Sequence, residues 1–321
     1  MTVFLYKKIA EEINRADHIL LLTDERIDGD TIGATLGMYH VLKEMGKEVE
    51  VFSPRPLDGR LAFLPGVEVI QRDSVLFEET HFDLAMIFDC ADGKYIEEYR
   101  NTLKSIPLIV FDHHDSNKGY GALNLIEPDS ASAAEVVWRF VKNAHLPMNR
   151  PAAQCFLAGI VTDTDVFSTS NTNIPALEAA QDLSRLGAKL QEIIRETIMN
   201  RSVSTLKLWG LAFERLHKNP EFGAIATAIT QKDLFDVGAC EDDVHKLSNF
   251  LNAMLEGYEV VLVLYEMKEG SVKGSLRSQT QDVAKMAEKY GGGGHIRAAG
   301  FKIPNVSLVL ENGVWLWKSR V

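Results

Sequence analysis

Short apolar runs rich in β-forming residues alternate with longer stretches of helical spacing through the first part of the chain. Ile19–Thr23, Val49–Ser53, Asp83–Phe88 and Pro107–Phe111 read as buried strands, because each is a brief, nearly unbroken apolar segment. Between them, Thr31–Met45 and Tyr95–Leu103 carry the spacing of helices. That alternation predicts an α/β fold whose N-terminal sheet is mostly parallel and flanked by helices. Helical patterns then dominate, over roughly Ser132–Ala144, Ala152–Thr162, Ile174–Leu186 and a long amphipathic stretch from Leu190 to about His217. After Asn219-Pro220 the pattern becomes strand (Gly223–Ile229), helix (Glu241–Leu255), strand (Glu259–Tyr265), strand (Ser271–Ser278), helix (Val283–Tyr290) and strand (Ala299–Ile303), a smaller C-terminal α/β unit. The expected organisation is a first unit over 1–188, a helical connector over 189–218 and a second unit over 219–321.

With 321 residues, 46% of them hydrophobic and 25% charged, the chain can bury a real core, so disordered and fibrous readings fail. Its longest apolar runs, such as His18–Leu22 and Glu259–Tyr265, are far shorter than the ~20 residues that cross a bilayer, so no membrane span is expected. Lys and Arg number 34 against 45 Asp and Glu, a net charge of −11. A broad grip on long duplex nucleic acid, which clustered cations drive, is therefore not expected. A short anionic substrate held by a few local cations or by metal ions fits the charge. Three cysteines without CxxC spacing point to neither a disulfide framework nor a thiolate zinc site. The N-terminal residues lack the pattern of a signal peptide, and a cytoplasmic setting is expected.

Ligands of parallel α/β sheets sit beyond the carboxyl ends of the strands. Those places hold acidic clusters: Asp24 with Asp28-Gly29-Asp30 after the first strand, Asp89 and Asp92 after the third, and Asp112-His113-His114-Asp115 after the fourth. Asp163 and Asp165 end an apolar helix and add a further cluster. Asp28, Asp30 and Asp115 also suit turns and helix N-caps. Adjacent histidines at a strand end have no such role, and convergence of Asp28, Asp30, Asp89, His113 and Asp163 would give a mixed oxygen and imidazole set. That set matches Mn²⁺ or another first-row divalent ion better than Ca²⁺ or thiolate-bound zinc.

Asp28-Gly29-Asp30, Phe88-Asp89, Asp112-His113-His114 and Thr162-Asp163-Thr164 resemble the ordered motifs of the DHH phosphoesterase superfamily. Gly274–Ser278 and Gly291–Phe301 resemble its DHHA1 domain, which makes 1–188 a DHH catalytic metal-binding domain and 219–321 a DHHA1 substrate-binding domain. The ordered set is most similar to the branch of small oligoribonucleases and pAp phosphatases. The resemblance implies a cofactor of two divalent metal ions, Mn²⁺ foremost, held by Asp24, Asp28, Asp30, Asp89, His113 and Asp163, with Asp89 bridging. It implies catalytic roles for Asp89, Asp112, His113 and His114, where Asp112 and His114 support the ligands or face phosphate. Two departures stand out: Asp24 occupies a position that is usually His, and Asp165-Val166 replace residues that are often Gly and Arg.

Gly291-Gly-Gly-Gly294, followed by His295 and Arg297, lets backbone N–H groups approach an anion, although such a run can also serve as a hinge. The resemblance favours phosphate binding through Arg277, Gly293, Gly294, His295 and Arg297. Ser132 reads as a helix N-cap and, by the resemblance, as a contact bordering the substrate cleft. Lys273, Lys285 and Lys289 read as solvated faces, and Trp315 and Trp317 as parts of a terminal strand. The implied activity is hydrolysis of short RNA oligonucleotides or small phosphorylated nucleotides by metal-activated water. The alternatives are a catalytically weak nucleotide-binding or sensor protein and an inorganic pyrophosphatase-like hydrolase. A homodimer is admitted, and the oligomeric state is not fixed.

Overall fold

The computed structural model describes residues 2–25, 27–79, 81–94, 103, 106–244 and 247–319, and it divides into two compact units, Met1–Asn200 and Arg201–Val321. In the first unit, strands β1 (His18–Leu22), β2 (Glu48–Phe52), β3 (Ile70–Gln71), β4 (Leu84–Phe88), β5 (Leu108–Asp112) and β6 (Leu123–Ile126) form one sheet in the order β3-β2-β1-β4-β5-β6. Every pairing is parallel. The apolar runs mark β1, β2, β4 and β5 to within a residue or two. β3 and β6 escape that reading because β3 is two residues long and β6 carries Asn124 among its apolar positions. The helix expected over Tyr95–Leu103 lies outside the described residues except for Leu103.

Side chains of the central strands alternate between two cores, as parallel strands covered on both faces require. Ile19, Leu21, Met86, Phe88, Ile109 and Phe111 join the larger one, while Leu20, Leu22, Ala85, Ile87 and Val110 join the smaller. The strand order reverses between β1 and β4, and the chain leaves the carboxyl ends of β1, β4 and β5 directly into the three acidic clusters.

The Gly29–Glu44 helix is buried along most of its length, against the Arg150–Asp163 helix among others. A Cβ at Gly33 would lie 2.6 Å from the Cys155 carbonyl oxygen and 2.7 Å from Gly159 N, closer than side-chain carbons pack. The two backbones therefore touch. This contact brings Asp30, in the first turn of one helix, beside Asp163, at the end of the other.

The second unit holds a six-stranded sheet of β7 (His217–Asn219), β8 (Ala224–Ile229), β9 (Val260–Glu266), β10 (Val272–Ser278), β11 (Gly293–His295) and β12 (Ala298–Ile303), ordered β11-β12-β10-β9-β8-β7. Only the β8–β9 pairing in it is parallel. A hairpin, β13 (Val306–Glu311) and β14 (Val314–Ser319), follows, with Trp315 and Trp317 on its terminal strand as the alternation predicts. The run from Leu190 to His217 is not one helix. It breaks at 200–202, where the Ser202 hydroxyl accepts from Thr205 N and starts a new helix, Val203–Glu214. Part of the glycine run is also a strand, since Gly293, Gly294 and His295 pair with Gly300, Ala299 and Ala298. Among the described residues no helix is long and apolar enough to cross a membrane.

The helix contact generates a paired test. Gly33→Ala should destabilise the protein by about 1–3 kcal/mol, the usual cost of overpacking, although Ala is the better helix former. Gly210→Ala, in the Val203–Glu214 helix with open space around its Cβ position, should instead stabilise by ~0.5–1 kcal/mol. Urea midpoints that move in the same direction for both would contradict the close approach.

Candidate metal centre

Asp28 ends the loop after β1 and is the N-cap of the Gly29–Glu44 helix. Its Oδ1 accepts from Asp30 N at 2.9 Å and Thr31 N at 3.1 Å. The capping role and a metal role thus compete for one carboxylate, with Oδ1 committed to the cap. Asp30 is 1% exposed, and its two oxygens accept from Ala133 N at 2.6 Å and Ala134 N at 2.9 Å in the first turn of the Ala133–Asn143 helix. Asp89 follows β4 with φ 58°, a left-handed conformation that Asp tolerates better than most residues. Its Oδ2 accepts from the Thr31 hydroxyl at 2.7 Å. Its Oδ1 is buried and has no hydrogen-bond partner among the described residues.

His113 stands at the centre. Its Nδ1 lies 3.3 Å from the Ser130 carbonyl oxygen, which assigns the proton to Nδ1 and leaves a lone pair on Nε2. That Nε2 is 3.6 Å from Asp89 Oδ1, 3.9 Å from Asp30 Oδ2 and 3.9 Å from Asp163 Oδ2. These separations are too long for hydrogen bonds. They fall inside the ~4.2 Å that separates at most two ligands each about 2.1 Å from one ion. Asp30, His113 and Asp163 form one potential ligand group, and Asp89, His113 and His114 form another that shares His113.

The electrostatics make the same demand. Burial, with repulsion from Asp28 and against the pull of His113, pushes Asp30 up from its ordinary 3.8 to about 6. Burial also raises Asp89 and Asp163 well above the usual carboxylate range, and Asp30 and Asp28 add to both shifts. Asp112 behaves oppositely. Burial alone would raise it, but hydrogen bonds from His114 and Asn117 outweigh that and hold it below the usual range. Its Oδ1 lies 2.8 Å from His114 Nδ1 and its Oδ2 accepts from Asn117 Nδ2 at 2.6 Å, so it stays ionised and fixes the His114 ring. An orphaned carboxylate oxygen, three mutually repelling acids and an imidazole lone pair suit a divalent cation of the Mn²⁺ or Mg²⁺ type.

Several groups that hold this arrangement lie outside the motifs. Asn171 Nδ2 donates to Asp163 Oδ2 at 3.3 Å and to the Ala131 carbonyl at 2.8 Å. Arg139 pairs with Glu127 and Glu135 and donates to Ser130 Oγ at 3.2 Å, while Glu135 accepts from Ala131 N. This network fixes the loop whose Ser130 carbonyl orients His113. Asp24 falls outside both ligand groups among the described residues, and its Oδ1 accepts from the buried Cys90 thiol at 3.4 Å. Ser132 is wholly buried, with its hydroxyl accepting from Glu135 N at 3.0 Å. Of its two readings the structure shows the cap. Asp165, Val166 and Phe167 all have positive φ, a left-handed turn that suits the glycine common at the first position better than Asp.

In the second unit Arg277 Nε donates to Asn249 Oδ1 at 2.6 Å and Arg297 Nη1 to the Gln281 carbonyl at 3.2 Å. The glycines at 292 and 294 are dictated by packing, since Cβ atoms there would strike the Gly300 and Ala298 carbonyl oxygens at 2.2 and 2.6 Å. Lys273 is half-buried and lines a partly open cavity, with its Nζ 5.7 Å from the centre of the Tyr265 ring.

A pH prediction follows from the raised acids. The folded protein holds the Asp30 proton more tightly than the unfolded chain, so its charge does not oppose folding below about pH 4 and opposes it fully above about pH 6, and Asp89 and Asp163 are shifted in the same direction. Metal-free protein should lose this part of its stability as pH rises through that window, and a divalent ion should restore it. The gap in Tm between Mn²⁺-loaded and chelated protein should therefore widen from pH 5 to pH 7. A gap that is constant or shrinks would contradict the charge arrangement.

Comparison with known proteins agrees with the geometry. Residues 18–160 match the model of the DHH family, N-terminal domain, and residues 234–313 match the DHHA1 domain. The chain is 30% identical over 297 residues to the bifunctional oligoribonuclease and PAP phosphatase NrnA of Thermus thermophilus, covering 90% of this chain and 85% of the relative. It is 25% identical to the Bacillus subtilis protein of the same name, over 92% of each chain. An exopolyphosphatase-related protein from Bacteroides fragilis shares the fold, with a TM-score of 0.86 at 24% identity over 94% of this chain and 91% of that one. With its acids and histidines gathered at the strand ends in the order of the family's motifs, the chain belongs to the DHH family and carries its N-terminal domain together with a DHHA1 domain.

Proposed function

We propose that this protein is a metal-dependent phosphoesterase that hydrolyses short oligoribonucleotides and small phosphorylated nucleotides of the pAp kind. The observation that carries this reading is the meeting of Asp30, Asp89 and Asp163 around His113 Nε2, with Asp89 Oδ1 left without a hydrogen bond among the described residues. The activities named for the two NrnA relatives support the substrate class. Two divalent ions, with Mn²⁺ favoured by the donor set, would be held by Asp30, Asp89, His113 and Asp163, assisted by Asp28 and Asp24. Bound there, such ions supply Lewis acidity that lowers the pKa of an attacking water and offsets charge on the phosphoryl oxygens.

The protein's own groups set the stage for that chemistry. Thr31 holds one Asp89 oxygen, leaving the other for a cation. Ser130 keeps the His113 proton on Nδ1, so Nε2 is a ligand and not a donor. Asp112 does the same for His114, whose fixed ring would face the phosphate. Arg277, Gly293, Gly294, His295 and Arg297 would bind the substrate's phosphates from the second unit. A few cations suffice for a short ligand, in keeping with a chain of net charge −11.

Turnover of pApA and pAp with Mn²⁺, Mg²⁺ and Co²⁺, against chelated protein, tests the reading. A protein that only binds nucleotides would return them unchanged, and one that cleaved only pyrophosphate would also refute it. Asp89→Asn keeps the size and the tolerance of positive φ, yet should lower kcat beyond the ~10–100-fold that loss of a ligand's outer partner costs. It should also lower the metal content measured by elemental analysis. Near-normal turnover in the folded variant would remove Asp89 from the centre.

A further inference from the structure

The Val203–Glu214 helix buries Leu208 and Ala212 and turns Val203, Leu206, Gly210 and Phe213 to solvent. These four recur at spacings of three and four, so they form one stripe along the helix. The Leu247–Met254 helix widens it: the Phe250 ring stacks on Phe213 with centroids 5.8 Å apart, and Met254 follows one turn later. Val203 is 70% exposed, Met254 68% and Leu206 56%. A Cβ at Gly210 would meet nothing within 4 Å, so no described residue covers the middle of the stripe. Single exposed apolar residues are ordinary on a protein surface. This set, on two touching helices, leaves on the order of 500 Å² in water, near the top of the roughly 300–600 Å² found for the largest apolar patch of a typical monomer.

The charges beside the stripe say what covers it. Lys207 and Glu214 are the charged residues of the Val203–Glu214 helix; both are exposed, and neither forms an ion pair among the described residues. At 100° per residue, positions seven apart lie within about 20° of each other, so Lys207 and Glu214 share one flank of the stripe and Leu206 and Phe213 the other. Both pairs are centred within a residue of Gly210. A two-fold axis through Gly210, perpendicular to the helix, sets the helix antiparallel to its own copy and keeps like flanks together. Lys207 then meets Glu214 of the second copy, and Leu206 meets Phe213 of the second copy. A chain of net charge −11 repels another like it, so association requires a face where acids are few and matched. We propose that this face joins two copies of the chain in an isologous dimer. A stable interface buries ~800 Å² on each partner, of which the stripe would be the apolar centre and Lys207 and Glu214 part of the polar rim. The proposal is independent of the phosphoesterase reading.

The test is sedimentation equilibrium of the full chain across the micromolar range, where wild type should reach twice the 35.8 kDa of one chain. Leu206→Glu places a carboxylate in the apolar centre of both copies and should raise the dimer dissociation constant about a hundred-fold or more. Lys207→Glu and Glu214→Lys each replace two attractive contacts with two repulsive ones and should raise it about ten-fold. The double variant Lys207→Glu with Glu214→Lys restores opposite charges across the axis, and its constant should return to within about three-fold of wild type. All four positions-and-charges changes fall on exposed side chains, and a circular dichroism spectrum like that of wild type shows that association and not folding has changed. A wild type that stays monomeric throughout would overturn the proposal, and so would a dimer that Leu206→Glu leaves intact. Failure of the double variant to recover what the single ones lose would overturn the antiparallel pairing on which it stands. A monomer whose stripe binds an apolar dye, with the dye lost in Leu206→Glu, would assign the face to a different partner and overturn it as well.

Discussion

Repulsion among Asp30, Asp89 and Asp163, gathered around the His113 Nε2 lone pair where little water reaches, is the constraint on which the rest of the first unit turns. Each acid has partial relief: two backbone N–H groups for Asp30, the Thr31 hydroxyl for Asp89 and the Asn171 amide for Asp163. None of that relief neutralises the charge, and Asp89 Oδ1 receives no hydrogen bond among the described residues. A fold that keeps such a cluster together in spite of its cost has a use for a cation there.

The architecture bears this cost by fixing every ligand from a different direction. β1, β4 and β5 deliver the three clusters to one edge of the sheet, where the strand order reverses. The contact of Gly33 with Gly159 brings two helices close enough for Asp30 and Asp163 to share a space. The Ala133–Asn143 helix turns its N-terminal N–H groups to Asp30, and the favourable end of its dipole lies at a buried negative charge. Arg139 ties the preceding loop to Glu127 and Glu135, which makes the orientation of His113 a property of the core and not of a free side chain.

Much of this was legible in the sequence, for identifiable reasons. Central parallel strands must be apolar on both faces, so β1, β4 and β5 announce themselves, and the acids that follow them stand out against that background. β3 and β6 are edge or near-edge strands too short or too polar to show. The DHH-type motifs name Asp30, Asp89, His113 and Asp163, and the structure brings these four together. The motifs say nothing of Asn171 or Arg139: the Glu135–Arg139 spacing reads as an ordinary helical ion pair, and neither its tie to the Ser130 loop nor the bond of Asn171 to the Ala131 carbonyl leaves a pattern in the chain. Ser132 shows the limit in the other direction. Its N-cap signature is local and holds, while a contact with substrate depends on exposure that the sequence does not carry. Lys273 looks like any solvated lysine until the register of β10 sets it on a cavity wall.

The central claim is that these buried acids exist to hold divalent ions. Crystals of the protein grown with Mn²⁺ and measured at the manganese absorption edge test it most directly. The account predicts two anomalous peaks in the first unit, among Asp30, Asp89, His113 and Asp163. Peaks elsewhere, or none beside Asp89 at saturating Mn²⁺, would contradict it.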